Sequence, residues 1–415
     1  MTTNSRDLYA TILGLREPWQ IEDVVMDPKA GEVRIRVALP EDTRWVCPEC
    51  LAAAPIHDHQ ERRWRHLDTC QFQTIVQARV PRLNCPTHGI KQLVVPWAEP
   101  GSRFTAMFEA LAIDWLKEAS IHAVAKLLRL SWDEAAGVQH RAVRRGLARR
   151  KLEPLRHVGV DETAFQKRHE YVTVVTDLDR HRVIHVADNR TQASLADFWS
   201  SLPEDHRAGI EAVAMDLWAP YIQCTMAQIP DAELKIVIDK YHVATYLNRA
   251  VDEVRRQEHR RLTAQGDASL KGTKYAWLRH PGTFSHQAAR WFAALRRSLR
   301  PMARAWEIKE AAMKIFELRH PGVAERNFRK WYRWAIRSRL EPIKRVARML
   351  SRHWPLLRNY FEHPITNAGS ESMNAKIQKV KRRSNGFRNR DRFRDAIFFH
   401  CGGLDLYPAR ITRGQ

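Results

Sequence analysis

The sequence predicts a multidomain chain of α/β plus α class: a β-rich N-terminal module, a helical pair, a mixed sheet, an all-helical stretch and a closing helix with a basic tail. Three observations predict it. Alternating apolar residues mark strands in 1–95, and a mix of strands and helices runs from His157 to about Tyr246. Helical periodicity takes over in 104–150 and 247–360, where no convincing strand is found. The segment Pro96-Trp-Ala-Glu-Pro-Gly-Ser102 reads as a linker. The resulting modules are 1–95, 103–152, 155–246, 247–360 and 361–415.

Within the first module, Glu32–Leu39 alternates cleanly and Phe72–Val80 less strictly. Cys47-Pro-Glu-Cys50 and Cys85-Pro-Thr-His88 are two knuckles of C-x2-C and C-x2-H type. Two intervening residues let a tight turn aim both side chains at one ion, and thiolate with imidazole suits tetrahedral zinc. The chain between the knuckles is expected to form a small β-sheet that the metal pins. One structural zinc on Cys47, Cys50, Cys85 and His88 is the prediction; His57, His59, His66 and Cys70 are alternatives to one ligand. Cys224 and Cys401 have no such neighbours and read as core.

The charge balance points to the partner. The 415 residues carry 69 Lys and Arg against 47 Asp and Glu, a net +22. Such an excess favours a polyanion, because each neutralised phosphate releases condensed counterions. Nucleic acid is favoured over an acidic membrane surface, because the chain has no basic amphipathic anchor and no apolar run of bilayer length. Met1–Glu17 lacks the apolar core of a secretion signal. Six cysteines are too few for a disulfide scaffold in a chain this long. A cytoplasmic protein is expected.

In 103–152, Ser120–Leu128 is a short amphipathic helix with Ile121, Val124, Ala125 and Leu128 on one face. Ser131-Trp-Asp-Glu134 is a capping box that starts another after a brief turn. The second helix carries His140, Arg141, Arg144, Arg145, Arg149, Arg150 and Lys151. Such a helix-turn-helix can set its second helix in the major groove, with Arg141, Arg144 and Arg145 as contacts. The bland alternative is a helical hairpin with a solvated basic face.

The mixed segment carries the chemistry. Val158-Gly-Val-Asp161 is a buried strand ending in acid; Tyr171–Thr176 and Val183–Ala187 follow as strands around a turn at Asp177-Leu-Asp179. Thr191 caps a helix whose Leu195, Phe198, Trp199 and Leu202 share a face. Glu211–Asp216 is a fourth strand, also ending in acid, and Leu234–Asp239 a fifth. Three antiparallel strands, then helix, strand, helix, strand, is a ribonuclease-H-like order. It puts the first and fourth strands side by side, with Asp161 facing Asp216. Two adjacent carboxylates repel, and a pair of hard divalent cations relieves that. Two Mg2+ or Mn2+ so held would activate an oxygen nucleophile and stabilise the leaving oxygen in phosphoryl transfer. Glu371 is the candidate third ligand. It lies in Thr366–Gln378, with Ser370 as helix cap, Asn374 and Gln378 on its own polar face, and Met373, Ile377 and Val380 on another.

These motifs together resemble the bacterial DDE transposases of the zinc-finger ISL3 insertion-sequence family. The resemblance rests on the finger, the helix-turn-helix, Gly159-Val-Asp161-Glu-Thr, Met215-Asp216-Leu-Trp-Ala-Pro-Tyr221 and Asn367-Ala-Gly-Ser-Glu371-Ser-Met-Asn. It covers nearly the whole chain. It implies strand cleavage and joining of double-stranded DNA at the terminal inverted repeats of an element, by a homo-oligomer acting at the bacterial nucleoid. It also implies that a helical domain, here 247–360, interrupts the nuclease fold. Asp239-Lys-Tyr-His242 is similar to the family's C/D-x2-H signature, which makes Asp239 and His242, with Asn374, active-site support. The finger departs from an all-cysteine version at His88.

From Lys379 onward a basic run with interleaved aromatics includes Lys381, Arg382, Arg383 and Arg388. Behind the proposed catalytic helix it would hold phosphates or stack an unpaired base; a solvated basic surface is the plain alternative. Two other readings of the chain stand beside the main one. A non-catalytic zinc-finger and helix-turn-helix regulator explains residues 1–150 but not the acids at the strand ends. A ribonuclease-H-like nuclease without strand transfer shares the triad but does not need the helical insertion.

Overall fold

The computed structural model describes residues 4–41, 43–166, 170–363, 365 and 368–408. The chain divides into two compact units, Met1–Lys151 with Val380–Gln415, and Leu152–Lys379.

The first unit begins with helix α1 (Ser5–Leu13), capped by Asn4 and closed by Gly14 at φ 59°, a left-handed stop that glycine adopts without a Cβ clash. Strands β1 (Gln20–Asp27), β2 (Glu32–Ala38), β3 (Ile56–Thr69), β4 (Phe72–Cys85) and β5 (Gly89–Gln92) form one sheet in the order β1-β2-β4-β3, with β5 on β4. The β2–β4 pair is parallel and the others antiparallel. Alternation along β2 turns Val33, Ile35 and Val37 inward. They meet Trp64 and Val76 in a core closed by Trp97, whose ring stands edge-on to Trp19 at 4.9 Å and to Trp64 at 5.3 Å. Residues 96–102 are therefore not a linker: Trp97, Ala98 and Ser102 are buried. Proline and glycine shape their turns, while the indole anchors them to the sheet.

Helices α2 (Ala106–Glu118), α3 (Ile121–Leu128) and α4 (Trp132–Arg149) follow. Ser131 and Glu134 form a reciprocal capping box that starts α4. Arg129 closes α3 in the left-handed region and ion-pairs with Asp68 on β3. The C-terminal helix Arg390–Cys401 packs on α4 and buries Phe393, Ala396 and Ile397. The tail beyond Val380 thus clusters with the first unit, whereas the sequence reading kept all of 361–415 with the mixed sheet.

The second unit is built on β6 (His157–Gln166), β7 (Glu170–Asp177), β8 (Arg182–Asp188), β9 (Ala212–Met215) and β10 (Ile236–Ile238), in the order β10-β9-β6-β7-β8. β6, β7 and β8 are antiparallel; β9 runs parallel to β6, and β10 parallel to β9. Between the strands lie α5 (Gln192–Ser201), α6 (Glu204–Ala208), α7 (Ala219–Gln228) and α8 (Ala232–Lys235). Thr191 caps α5 reciprocally with Ser194. Leu234 and Lys235, expected to open the fifth strand, instead close α8, because Asp231 at φ 54° turns the chain into a helical turn first. Asp177 is fully buried at the end of β7, paired with Arg180 and Arg182.

Helices α9 (Lys240–Thr263), α10 (Lys274–Leu278), α11 (His286–Ser298), α12 (Arg300–Ile315), α13 (Pro321–Ile336), α14 (Glu341–Arg352) and α15 (Trp354–Leu357) follow, with no strand among the described residues of 247–360. Their apolar faces join the sheet in one continuous core that runs from Val158 and Val213 to Trp277, Ile308 and Leu357. The helical stretch is an extension of the sheet's core and not a separately cored domain. Helix α16 (Ala368–Arg383) buries Met373, Ile377 and Val380.

Candidate active site and zinc centre

The register of the parallel pair places the first two acids. Gly159 on β6 lies opposite Ala214 on β9. Asp161 and Asp216 each follow two residues later, so neighbouring strands deliver them at matched positions. Asp161 is half-buried; desolvation, with the charge of Asp216 added, pushes its carboxyl up to about 7. Its Oδ1 accepts the Glu162 backbone N–H at 2.7 Å, and Asn374 Nδ2 donates to Oδ2 at 2.7 Å.

His242 Nε2 ion-pairs with Asp216 Oδ1. Burial works against the charged ring, but the bond to Asp216 and the charges of Asp216, Asp161 and Asp239 overcome it, and His242 titrates above its ordinary value. Buried Asp239 caps α9 by accepting the Tyr241 N–H at 2.8 Å, which fixes His242 in the first turn. Glu371 is exposed in the first turn of α16. Partial desolvation, with the charges of Asp239 and Asp216, raises its carboxyl, and His242 opposes this.

Asp161, Asp216 and Glu371 therefore share one electrostatic neighbourhood without crowding to ligand distances. Among the described residues, only Cys47, Cys50, Cys85 and His88 form a group of His, Cys, Asp or Glu whose ligand atoms all lie within 4.8 Å. Ser370 does not cap α16: the helix starts at Ala368 and Ser370 lies inside it, buried. Thr366 and Asn367 of the same motif lie outside the described residues.

A second cluster stands beside the acids. Glu162 pairs with Arg190 Nη1 at 2.7 Å, and the Arg190 guanidinium lies 3.9 Å over the Trp218 ring. Trp218 Nε1 donates to the Arg190 carbonyl at 3.2 Å. Sequence reasoning passed over this group, although Glu162 adjoins Asp161 and Trp218 follows Asp216 by two.

The finger ligands converge from the turn before β3, which carries Cys47 and Cys50, and from the end of β4 and the β4–β5 turn, which carry Cys85 and His88. Cys47 and Cys85 Sγ lie 3.8 and 3.7 Å from His88 Nδ1, and Cys50 lies 3.7 Å from Cys85. A tetrahedron with zinc bonds of about 2.3 Å has edges of about 3.8 Å, so the four atoms fit that ion. N–H groups of Cys50 and Glu49 hold the Cys47 thiol below its ordinary range, and those of His88 and Thr87 do the same for Cys85. His88 Nε2 faces Glu49 at 3.6 Å, the carboxylate that orients a metal-bound imidazole. His66 is instead bonded to Thr105 in the interior, at 2.9 Å.

The basic residues of α4 divide. Arg144 is exposed. Arg145 is turned inward, its side chain 7% exposed, bridging Glu99 and Glu109; Arg141 also pairs with Glu109. Glu109 is buried and would be left without a counter-charge otherwise, so these two arginines serve the fold first. Arg382 and Arg388 are exposed, while Arg383 donates to the Lys117 carbonyl at 3.1 Å.

A multidomain protein with a zinc-ligand cluster, a helix-turn-helix and a carboxylate-bearing mixed sheet belongs to the DNA-handling class, and the comparisons agree. Residues 158–397 match a family model described as transposase of the ISL3 group with a DDE domain. Residues 43–88 match the zinc-finger of transposase IS204/IS1001/IS1096/IS1165, and 94–143 the helix-turn-helix domain of transposase family ISL3. The transposase for insertion sequence element IS1557 of Mycobacterium tuberculosis is 27% identical over 414 residues, covering 92% of each chain. That for IS1001 of Bordetella parapertussis is 24% identical over 386 residues, covering 92% of this chain and 95% of its own. The chain belongs to the ISL3 family of transposases. No helix among the described residues is long and apolar enough to cross a membrane.

Proposed function

We propose that the chain cuts and joins DNA strands at the ends of an insertion sequence, with Asp161, Asp216 and Glu371 as ligands of two divalent cations. The single observation that carries this reading is the β6–β9 register: Gly159 pairs with Ala214, and Asp161 on β6 and Asp216 just past the end of β9 each follow two residues later, as a ribonuclease-H-like active site would require. Three carboxylates are a hard, anionic donor set suited to Mg2+ or Mn2+. Burial, and after it the charge of Asp216, raises the Asp161 carboxyl, and a bound cation would relieve the repulsion between the two acids. Bound there, the cations would polarise the attacking and leaving oxygens. The protein's own part is to orient: Asn374 holds Asp161, His242 holds Asp216, and α16 carries Glu371. Zinc on Cys47, Cys50, Cys85 and His88 pins the finger.

In this reading 1–95 and 103–152 recognise the terminal inverted repeats, 155–246 with the start of 361–415 is the catalytic core, and 247–360 is its helical insertion. Arg144, Arg382 and Arg388, with Lys381, contact phosphates, in a homo-oligomer on bacterial nucleoid DNA. The test is strand transfer. Purified protein, Mg2+, a labelled duplex ending in the element's inverted repeat and a supercoiled target should give covalently joined product. Cleavage without joining would reduce the chain to a nuclease, and specific binding with neither activity to a regulator.

A further inference from the structure

Three contacts tie α16 to β6, and they occur at matched steps. Gly159, Asp161 and Thr163 share one face of β6, two residues apart. Ser370, Asn374 and Gln378 share one face of α16, four residues apart. Four helical residues rise about 6.0 Å, and two strand residues about 6.6 Å. The two rows therefore stay in step over three rungs. On the first rung a Cβ on Gly159 would lie 2.1 Å from Ser370 Oγ, so backbone and hydroxyl are in close approach. On the second, Asn374 Nδ2 donates to Asp161 Oδ2 at 2.7 Å. On the third, Gln378 Nε2 donates to Thr163 Oγ1 at 2.6 Å, with Thr163 itself only 3% exposed.

We infer that Gln378 and Thr163 are positioning residues for Glu371, an inference that rests on the metal-ligand reading above. Glu371 follows Ser370 directly, so its place against Asp161 and Asp216 is set by the register of helix on strand. A rotation or slide of α16 by a fraction of a turn breaks the rungs and carries the carboxylate away. The middle rung involves Asp161 itself. The last rung lies outside the triad, so it can be broken without removing a charge from the site.

The experiment uses the full chain with the variants Gln378→Leu, Thr163→Val, Thr163→Ser, the Gln378→Leu/Thr163→Val double and Glu371→Gln. Cleavage of a labelled element end, end-DNA affinity, the Mg2+ concentration for half-maximal rate and the rise in melting temperature on adding Mn2+ are measured. Gln378→Leu and Thr163→Val should lower the cleavage rate up to about 10²-fold, the scale of misplacing a catalytic group by an ångström. They should leave end-DNA affinity unchanged, raise the Mg2+ midpoint and shrink the Mn2+-induced rise. The double variant should be no worse than either single one, and Thr163→Ser should recover most of the rate lost in Thr163→Val. Wild-type rates in both single variants beside an inactive Glu371→Gln would overturn the inference alone, as would a rate loss with Mg2+ midpoint and Mn2+ response unmoved. Full cleavage by Glu371→Gln would remove the reading on which it rests.

Discussion

Asn374 donates its side-chain amide to Asp161 at 2.7 Å, across 213 residues of chain. The bond joins α16 to β6, and it spans the whole helical stretch between them. Its consequence for the fold is most easily tested one rung away, at Gly159. Gly159→Ala should press its Cβ into Ser370 Oγ and the Leu178 side chain. Overpacking of this kind costs about 1–3 kcal/mol. The variant should lose thermal stability and cleavage together. Adding Ser370→Ala, which removes the crowding oxygen, should restore part of both. A stable, fully active Gly159→Ala protein would show that α16 does not sit this closely on β6.

Arg144→Ala and Arg145→Ala should fail in different ways. Arg145 is enclosed by Glu99 and Glu109, and its loss leaves Glu109 buried beside Arg141 alone. Breaking such a buried pair costs about 3–5 kcal/mol, so a thermal melt should show a large drop. Arg144 is exposed, and its alanine variant should melt like wild type. It should bind end DNA more weakly, with a log–log salt slope reduced by about 0.9 if one phosphate contact is lost. Equal stability of the two variants would contradict the inward placement of Arg145.

These residues also mark the limits of the sequence. The Ser131–Glu134 capping box, the Thr191 cap, the order of the five strands and the stripe Met373, Ile377, Val380 are local patterns and were legible. The inward turn of Arg145 was not, because its partners lie 46 and 36 residues away. Strand β3 escaped as well: Ile56-His-Asp-His-Gln-Glu-Arg-Arg is nearly all polar, and only its pairing with β4 makes it a strand. Residues 96–102 carry a linker's composition, yet one indole decides their burial. At the site, Asp161 and Asp216 could be read from strand ends, whereas the Glu162–Arg190–Trp218 cluster depends on packing between strand and loop.

Acid should destabilise the protein through two desolvated histidines, buried His66 and half-buried His400. Desolvation, aided by Arg65, lowers His66 from 6.5 to about 4, and desolvation with Arg383 and Lys117 does the same for His400. Each contributes its stability in full above pH 6.5. The contribution is lost as pH falls towards 4, because the unfolded chain takes up the proton first; each amounts to at most about 3 kcal/mol. Melting temperature measured from pH 7.5 to 4.5 should fall more steeply for wild type than for His66→Gln or His400→Gln. Parallel curves would place these rings in contact with water.

Metal content tests the finger. The purified protein should carry one zinc, and Cys47→Ser or His88→Ala should lose it with a fall in melting temperature, since binding and folding of such sites are coupled. Cys70→Ser should keep the metal, because Cys70 is exposed at a hairpin turn and lies outside the ligand group. Full zinc retention by Cys47→Ser would exclude this ligand set.

On the proposed mechanism, Asp161, Asp216 and Glu371 together hold the cations for strand cleavage and joining. Asp161→Asn, Asp216→Asn and Glu371→Gln each keep the side-chain shape and remove one anionic ligand. The assay uses a labelled element end with Mg2+, with each of the three and with Asp197→Asn, an exposed acid on α5, as control. Cleavage and joining should be lost in all three, with end-DNA binding near wild type in all three and near-normal activity in the control. Robust cleavage by any one variant would remove that residue from the mechanism, and robust cleavage by all three would exclude this carboxylate triad as the cation site.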